Sequence, residues 1–125
     1  MNKLAVFTYD LANNIDLIER IKSFFVSNHN IDDFIVFTDS GDYAVENHGV
    51  LITFYMIAYN GIIVFLNLQD YLINQNNTNN CRCILYLNDS DIEVLDKAMI
   101  RNCDILTESE GSLKWIKNYE LQKTI

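Results

Sequence analysis

Five short apolar runs in this chain each end in a polar tip that could carry chemistry: Thr8-Tyr9-Asp10, Thr38-Asp39, Thr53-Phe54, Asn88-Asp89 and Thr107-Glu108. Hydroxyls and carboxylates of this kind act as nucleophiles, hard-cation ligands or general bases once a fold gathers them. No tip carries a GxGxxG or GxxxxGK[ST] pattern, so no glycine-rich cradle for a phosphate follows the first run. The first loop, "TYDLANN", offers hydroxyls and amides instead, which is a weaker phosphate site. No Ser-His-Asp or Cys-His set can be placed at the tips, and no catalytic residue is assigned. Taken singly, such groups serve most often as turn residues and helix caps. Cys81-Arg82-Cys83 resembles half a metal site, but no second Cys or His cluster completes it, so no metal or other cofactor is expected. Burial of Cys81 and Cys83 as small hydrophobes on one strand face is the simpler account. His29 and His48 stand apart in polar contexts and are expected to be solvated.

The elements that must hold these tips follow from hydrophobic patterning. "KLAVFT", "DFIVFT", "GVLIT", "CRCILYL" and "CDILT" are short apolar runs without polar alternation, as strands buried on both faces are. Between them lie helical spacings. "NNIDLIERIKSFFVSN" places Ile15, Ile18, Ile21 and Phe25 on one face, with Asn14 or Asn13 as N-cap. "SGDYAVEN" reads as a short helix from Ser40. The stretch "VLITFYMIAYNGIIVF" is too interrupted for a spanning helix, which needs roughly 20 apolar residues. Asn60-Gly61 splits it into a strand ending at Thr53 and a helix over "GIIVFLNLQDYLINQ". "SDIEVLDKAMIRN" has Ser90 as N-cap and Glu93 at the capping-box position, with Ile92, Leu95 and Met99 inward. "SLKWIKNYELQ" supplies a last helix through Leu113, Ile116 and Tyr119. Five strands alternating with helices predict one doubly wound α/β domain over residues 1–125. It would be a five-stranded parallel (βα)5 sheet of the receiver or flavodoxin-like kind.

Composition narrows the function. The chain has 125 residues, half of them hydrophobic, enough for one domain with a real core. A formal charge of -8 and a pI near 4.5 disfavour direct contact with nucleic acid or an anionic membrane and suit a basic partner surface. No signal peptide is read after Met1, and three cysteines in such a chain argue for reduced thiols in a cytoplasm.

The order of elements, with "FTDSGDYAV" after the second strand and "MIAYNGI" after the third, resembles the receiver domain of bacterial response regulators, in the flavour of the LytTR-type regulators. Met56, Asn60 and Gly61 match that family's third loop. Ala98 and "DIL" in "ILYLNDSDIEVLDKAMIRNCDILTES" match its later spacing. The resemblance implies a regulatory module of a two-component transcription regulator, with the phospho-acceptor aspartate replaced by Thr53. The acidic pair after strand one is replaced by Thr8 and Tyr9, leaving Asp10. Asn88 stands at the strand-four Thr or Ser, and Glu108 replaces the strand-five lysine. A hydroxyl without a base is a poor phosphate acceptor, and a Thr-Tyr pair cannot supply the charge Mg²⁺ needs. An acid at 108 would oppose phosphate. The expectation is a phosphorylation-independent pseudo-receiver, not an enzyme. It would act as a homodimer or with another regulatory protein, reaching DNA only through a C-terminal domain absent from this chain. The dimer face implied spans residues 90–122, with Asp91, Leu95, Lys97, Arg101, Trp115 and Tyr119 as contacts. Two rivals stand beside it: a small flavodoxin-like cofactor- or nucleotide-binding domain using Thr8, Thr53 and Asn88, and an intact receiver phosphorylated on another aspartate.

Overall fold

A computed structural model describes residues 3–38, 50–51, 59–74, 78, 80–88 and 103–117. These form β1 (Lys3–Phe7), α1 (Ile15–His29), β2 (Asp33–Thr38), β3 (Val50–Leu51), β4 (Ile62–Phe65), α2 (Leu68–Asn74), β5 (Arg82–Asn88), β6 (Asp104–Ser109) and β7 (Ser112–Ile116). The strands make one seven-stranded sheet in the order β3-β2-β1-β4-β5-β6-β7. All neighbours are parallel except the last pair, β6 and β7. The α/β class and mostly parallel sheet expected from the sequence are present. The five-strand count is not.

Two segments account for the difference. Ile62–Phe65, expected to open a helix, is a strand between β1 and β4's other neighbour, β5, with all four residues buried. A fully apolar run has no period to separate strand from helix, and three β-branched residues in a row favour the strand. Ser112–Ile116, expected to be helical, is an antiparallel edge strand. Its cause is the turn: Glu110 (φ 52) and Gly111 (φ 79) both sit at positive φ, the geometry of a two-residue hairpin loop. Leu113 and Trp115 then alternate with exposed Ser112 and Lys114. A further correction concerns position in the sheet. The strand leading towards Thr53, β3, pairs with β2 at the sheet edge, and β4 occupies the place beside β1.

Period-two alternation sorts the core into two layers. Leu4, Val6, Val36, Ile62, Val64, Ile84 and Leu106 face Ile18, Ile21 and Phe25 of α1. Ala5, Phe7, Phe37, Ile63, Phe65, Leu85 and Ile105 face the other way, with Tyr71 of α2 among them. Each fully buried Ile or Phe of α1 contributes about 1.5–3 kcal/mol, which holds the helix over the sheet. Ile15, expected on the same stripe, is 46% exposed. Gly61 enters β4 where a Cβ would lie 2.9 Å from the Lys3 carbonyl oxygen and 3.0 Å from the Tyr59 hydroxyl, so any side chain there would push β4 away from β1.

The N-terminal pole of the sheet is tied by polar side chains. Asp104, buried at the start of β6, accepts hydrogen bonds from Arg82 Nε (2.6 Å) and Trp115 Nε1 (2.8 Å). The Trp115 ring packs edge-on to His29 and tilted against Phe25, with the Lys117 ammonium 4.4 Å from its centre. Cys81, Cys83 and Cys103 are free thiols. Cys103 is buried, the other two are half-buried, and burial pushes all three upward from the usual thiol range. The expected helices starting at Ser40 and Ser90 lie outside the described residues. None of the described helices is long and apolar enough to cross a membrane.

Candidate functional site

In open α/β sheets ligands bind beyond the carboxyl ends of the strands, where the chain order switches direction. Here the chain moves from β1 outward to β2 and β3, then returns to the far side of β1 as β4. The switch point lies between the tips of β1 and β4. Thr8 to Asn14 extend from one tip, Leu66 to Asp70 from the other.

The β1 loop is folded on its own polar groups. Thr8 is fully buried, its backbone N–H donating to the Phe37 carbonyl at 3.1 Å. Its Oγ1 accepts from the Asp10 N–H (3.0 Å) and, more loosely, from Asn14 Nδ2 (3.5 Å), which also donates to the Asp10 carbonyl (2.6 Å). Asn13 Nδ2 donates to both carboxylate oxygens of exposed Asp10, at 3.0 and 3.1 Å. Asn14 sits at the N-cap of α1, as its sequence position suggested. Its side chain turns to the loop, however, and makes no cap hydrogen bond to the helix.

The β4 tip is a reciprocal cap. Asn67 Oδ1 accepts the Asp70 N–H at 2.9 Å, while Asn67 Nδ2 donates to Asp70 Oδ2 at 3.1 Å. Asn67 is thus the N-cap that starts α2, and the Asp70 carboxylate returns a bond to its side-chain amide rather than to its backbone N–H as a capping box would. Asp70 is 7% exposed. Its carboxyl is raised from the usual carboxylate range, first by burial. Hydrogen bonds from the Tyr9 N–H and from Asn67 oppose the rise, and the charge of Asp10 adds to it. The Tyr9 backbone and the Asp10 charge both act on the Asp70 carboxyl, so the two tips lie side by side at the switch point.

Of the residues singled out in the sequence, Thr8, Tyr9 and Asp10 stand at this crevice, Tyr9 being 44% exposed with its ring edge-on to Phe7. Asn88 ends β5 and pairs in register with Glu108 of β6. Glu108 is turned to the α1 side, where it forms an ion pair with Arg20 and accepts from the Tyr86 hydroxyl at 3.2 Å. Thr53, Asp91, Leu95, Lys97, Arg101 and Tyr119 lie outside the described residues. Trp115 lies on an edge strand at the opposite pole. Asn13, Asn67 and Asp70 were not singled out as site residues. The sequence signal for the last two is the pair Asn67 and Asp70 at N-cap spacing, hidden once Ile62–Phe65 is read as helix.

Chemically the crevice is rich in acceptors. Asp10 and Asp70 bring carboxylates, Asn13, Asn14 and Asn67 bring amides, and no lysine or arginine occurs among residues 8–14 or 66–70. No group of three or more His, Cys, Asp or Glu side chains among the described residues is placed to hold a metal ion. Comparison with protein-family models, curated proteins and solved structures finds no match.

Proposed function

We propose that this chain is a ligand-binding α/β domain that takes a small, hydroxyl-rich, uncharged group, such as a nucleoside or a sugar, in the crevice between the tips of β1 and β4. The observation that carries this reading is the meeting of two acceptor-rich loops at the switch point, close enough that Asp10 and the Tyr9 backbone both act on the Asp70 carboxyl. An exposed carboxylate such as Asp10 accepts two hydrogen bonds from a vicinal diol, the role an acidic residue plays toward ribose in dinucleotide-binding folds. Two carboxylates without a cation in either loop repel a phosphate, so the anchor is the sugar rather than a phosphoryl group. Saturation-transfer NMR with nucleosides and monosaccharides, followed by calorimetry on Asp10→Ala, tests it. Binding that Asp10→Ala weakens by about tenfold is expected. Absence of binding, or equal binding by the variant, overturns it.

A second reading is favoured by strand order. Six strands are parallel, in the order β3-β2-β1-β4-β5-β6; with the two-residue edge strand β3 set aside, the remaining five follow the 2-1-3-4-5 order of flavodoxin-like folds and receivers. In that frame the central strand is β4, and the acceptor position moves from Thr53 to its tip, Leu66-Asn67, again without an acid. The domain then regulates through contacts with a second copy or another regulatory protein, without phosphorylation. Incubation with acetyl phosphate and Mg²⁺ followed by mass spectrometry should leave the mass unchanged; an adduct of about 80 Da on an aspartate overturns the reading.

A further inference from the structure

The three cysteines gather where β5 and β6 begin, at the end of the sheet opposite the crevice. Leu85 and Ile105 are register partners on these parallel strands, and both face the core layer that holds Tyr71 of α2. Two residues earlier on each side, Cys83 and Cys103 fall next to each other on that same face and pack into the same layer. Their closeness has an electrostatic mark: after burial, a charge on Cys83 is the next influence that pushes the Cys103 thiol upward. Neighbouring strands lie about 4.8 Å apart, inside the roughly 4.4–6.8 Å that separates the Cα atoms of a disulfide. Cys81 is turned elsewhere. Its thiol donates to the Tyr59 carbonyl at 3.2 Å, on the β4 side of β5 and away from β6.

We infer that Cys83 and Cys103 are a reversible dithiol–disulfide pair, closed by exchange with a low-molecular-weight disulfide such as oxidised glutathione. Half-buried Cys83 is the sulfur that an outside disulfide reaches, and buried Cys103 is the one that resolves the intermediate. The Cys83 thiol loses its proton, and its thiolate attacks one sulfur of the small disulfide and expels the other as a thiolate. The Cys103 thiolate, its own proton lost, then attacks Cys83 Sγ and expels the second small thiolate. Two protein thiols are oxidised, one small disulfide is reduced to two thiols, and the leaving thiolates take up the two protons. Closing gives up two weak S–H bonds, from Cys83 to the Thr78 hydroxyl at 3.3 Å and from Cys103 to the Asp104 carbonyl at 3.2 Å. It also draws Cβ atoms from one strand spacing, about 4.8 Å, to about 3.8 Å, which strains the sheet. A strained disulfide is the easily reduced kind, so an excess of thiol opens the pair again. Burial raises both thiols, which slows the exchange at neutral pH and makes closing faster as pH rises.

The test incubates the full chain with oxidised glutathione in native buffer, blocks the remaining thiols by alkylation, and reads masses before and after trypsin. Cleavage after Arg82 leaves Cys81 in residues 23–82, Cys83 in 83–97 and Cys103 in 102–114, so every pairing gives a different linked peptide. The expected product is a single chain about 2 Da lighter, from the loss of two hydrogens, in which 83–97 is joined to 102–114. Cys81→Ser should form it equally well, and reduced glutathione should reverse it. Cys83→Ser and Cys103→Ala should not form it; circular dichroism checks their folding, and the linked peptide of the wild type decides the matter even where a variant fails to fold. The inference is overturned by unchanged thiols, by a glutathione adduct without the internal bond, or by a bond that includes Cys81 or joins two chains. A bond that forms only after urea unfolds the chain, or that reduced glutathione leaves intact, overturns it as well.

Discussion

At the scale of single residues, three positions make the physical argument measurable. Asp70 holds a carboxyl in a buried place, so its pKa in the fold lies above its unfolded value. Its contribution to stability is full below the unfolded carboxylate pKa and is lost as pH rises through the folded one. Asp70→Asn removes that dependence. The stability of the wild type relative to Asp70→Asn should therefore increase as pH falls from neutral towards 4, read by urea unfolding at each pH. His29 is shifted the other way, lowered first by burial and then by the Lys117 ammonium. Its contribution is present above the ordinary histidine pKa and fades as pH falls through the folded value. Lys117→Gln should move the imidazole titration upward, as followed by NMR. Gly111 sits at φ 79 with open space around its missing Cβ. Gly111→Ala should destabilise by about 1 kcal/mol, a backbone effect without a clash.

At the scale of elements, β7 depends on one buried acid. Asp104→Ala would remove the acceptor shared by Trp115 and Arg82 and leave the indole N–H without that partner. Arg82 is 40% exposed, so water recovers part of its loss. A destabilisation of about 2 kcal/mol is expected, with red-shifted tryptophan emission as the hairpin loosens. The same elements show what the sequence could tell. β1, α1, β2, β5 and the start of β6 were legible because each has a clean period or a β-rich run bounded by polar residues. β4 was not. Ile62–Phe65 is apolar throughout, and the helical spacing of Leu66, Leu68, Leu72 and Ile73 drew it into the following helix. β7 was missed because Leu113 and Ile116 fit a helix as well as Leu113 and Trp115 fit a strand. The positive φ of Glu110, which decides between them, is not a property that glutamate advertises. The crevice was half legible. Thr8, Tyr9 and Asp10 follow from the end of β1, whereas Asn67 and Asp70 require β4 to be placed first.

At the scale of the whole molecule, the sheet is asymmetric about β1: two strands lie on one side and four on the other. The switch between them brings the tips of β1 and β4 side by side, where the proposed ligand would enter. If the regulatory reading holds, light scattering should report a dimer without any phospho-donor; a monomer at all concentrations counts against it. The ligand reading makes no such demand.

The antiparallel turn of β7 has one more effect. Strand β6 climbs toward the crevice and β7 descends again, so Lys117 lies at the same pole as Lys3, where β1 begins. An affinity handle or reporter grafted at either position would therefore start from the underside of the sheet. Such a graft would lie away from the tips of β1 and β4, at the opposite end of these strands.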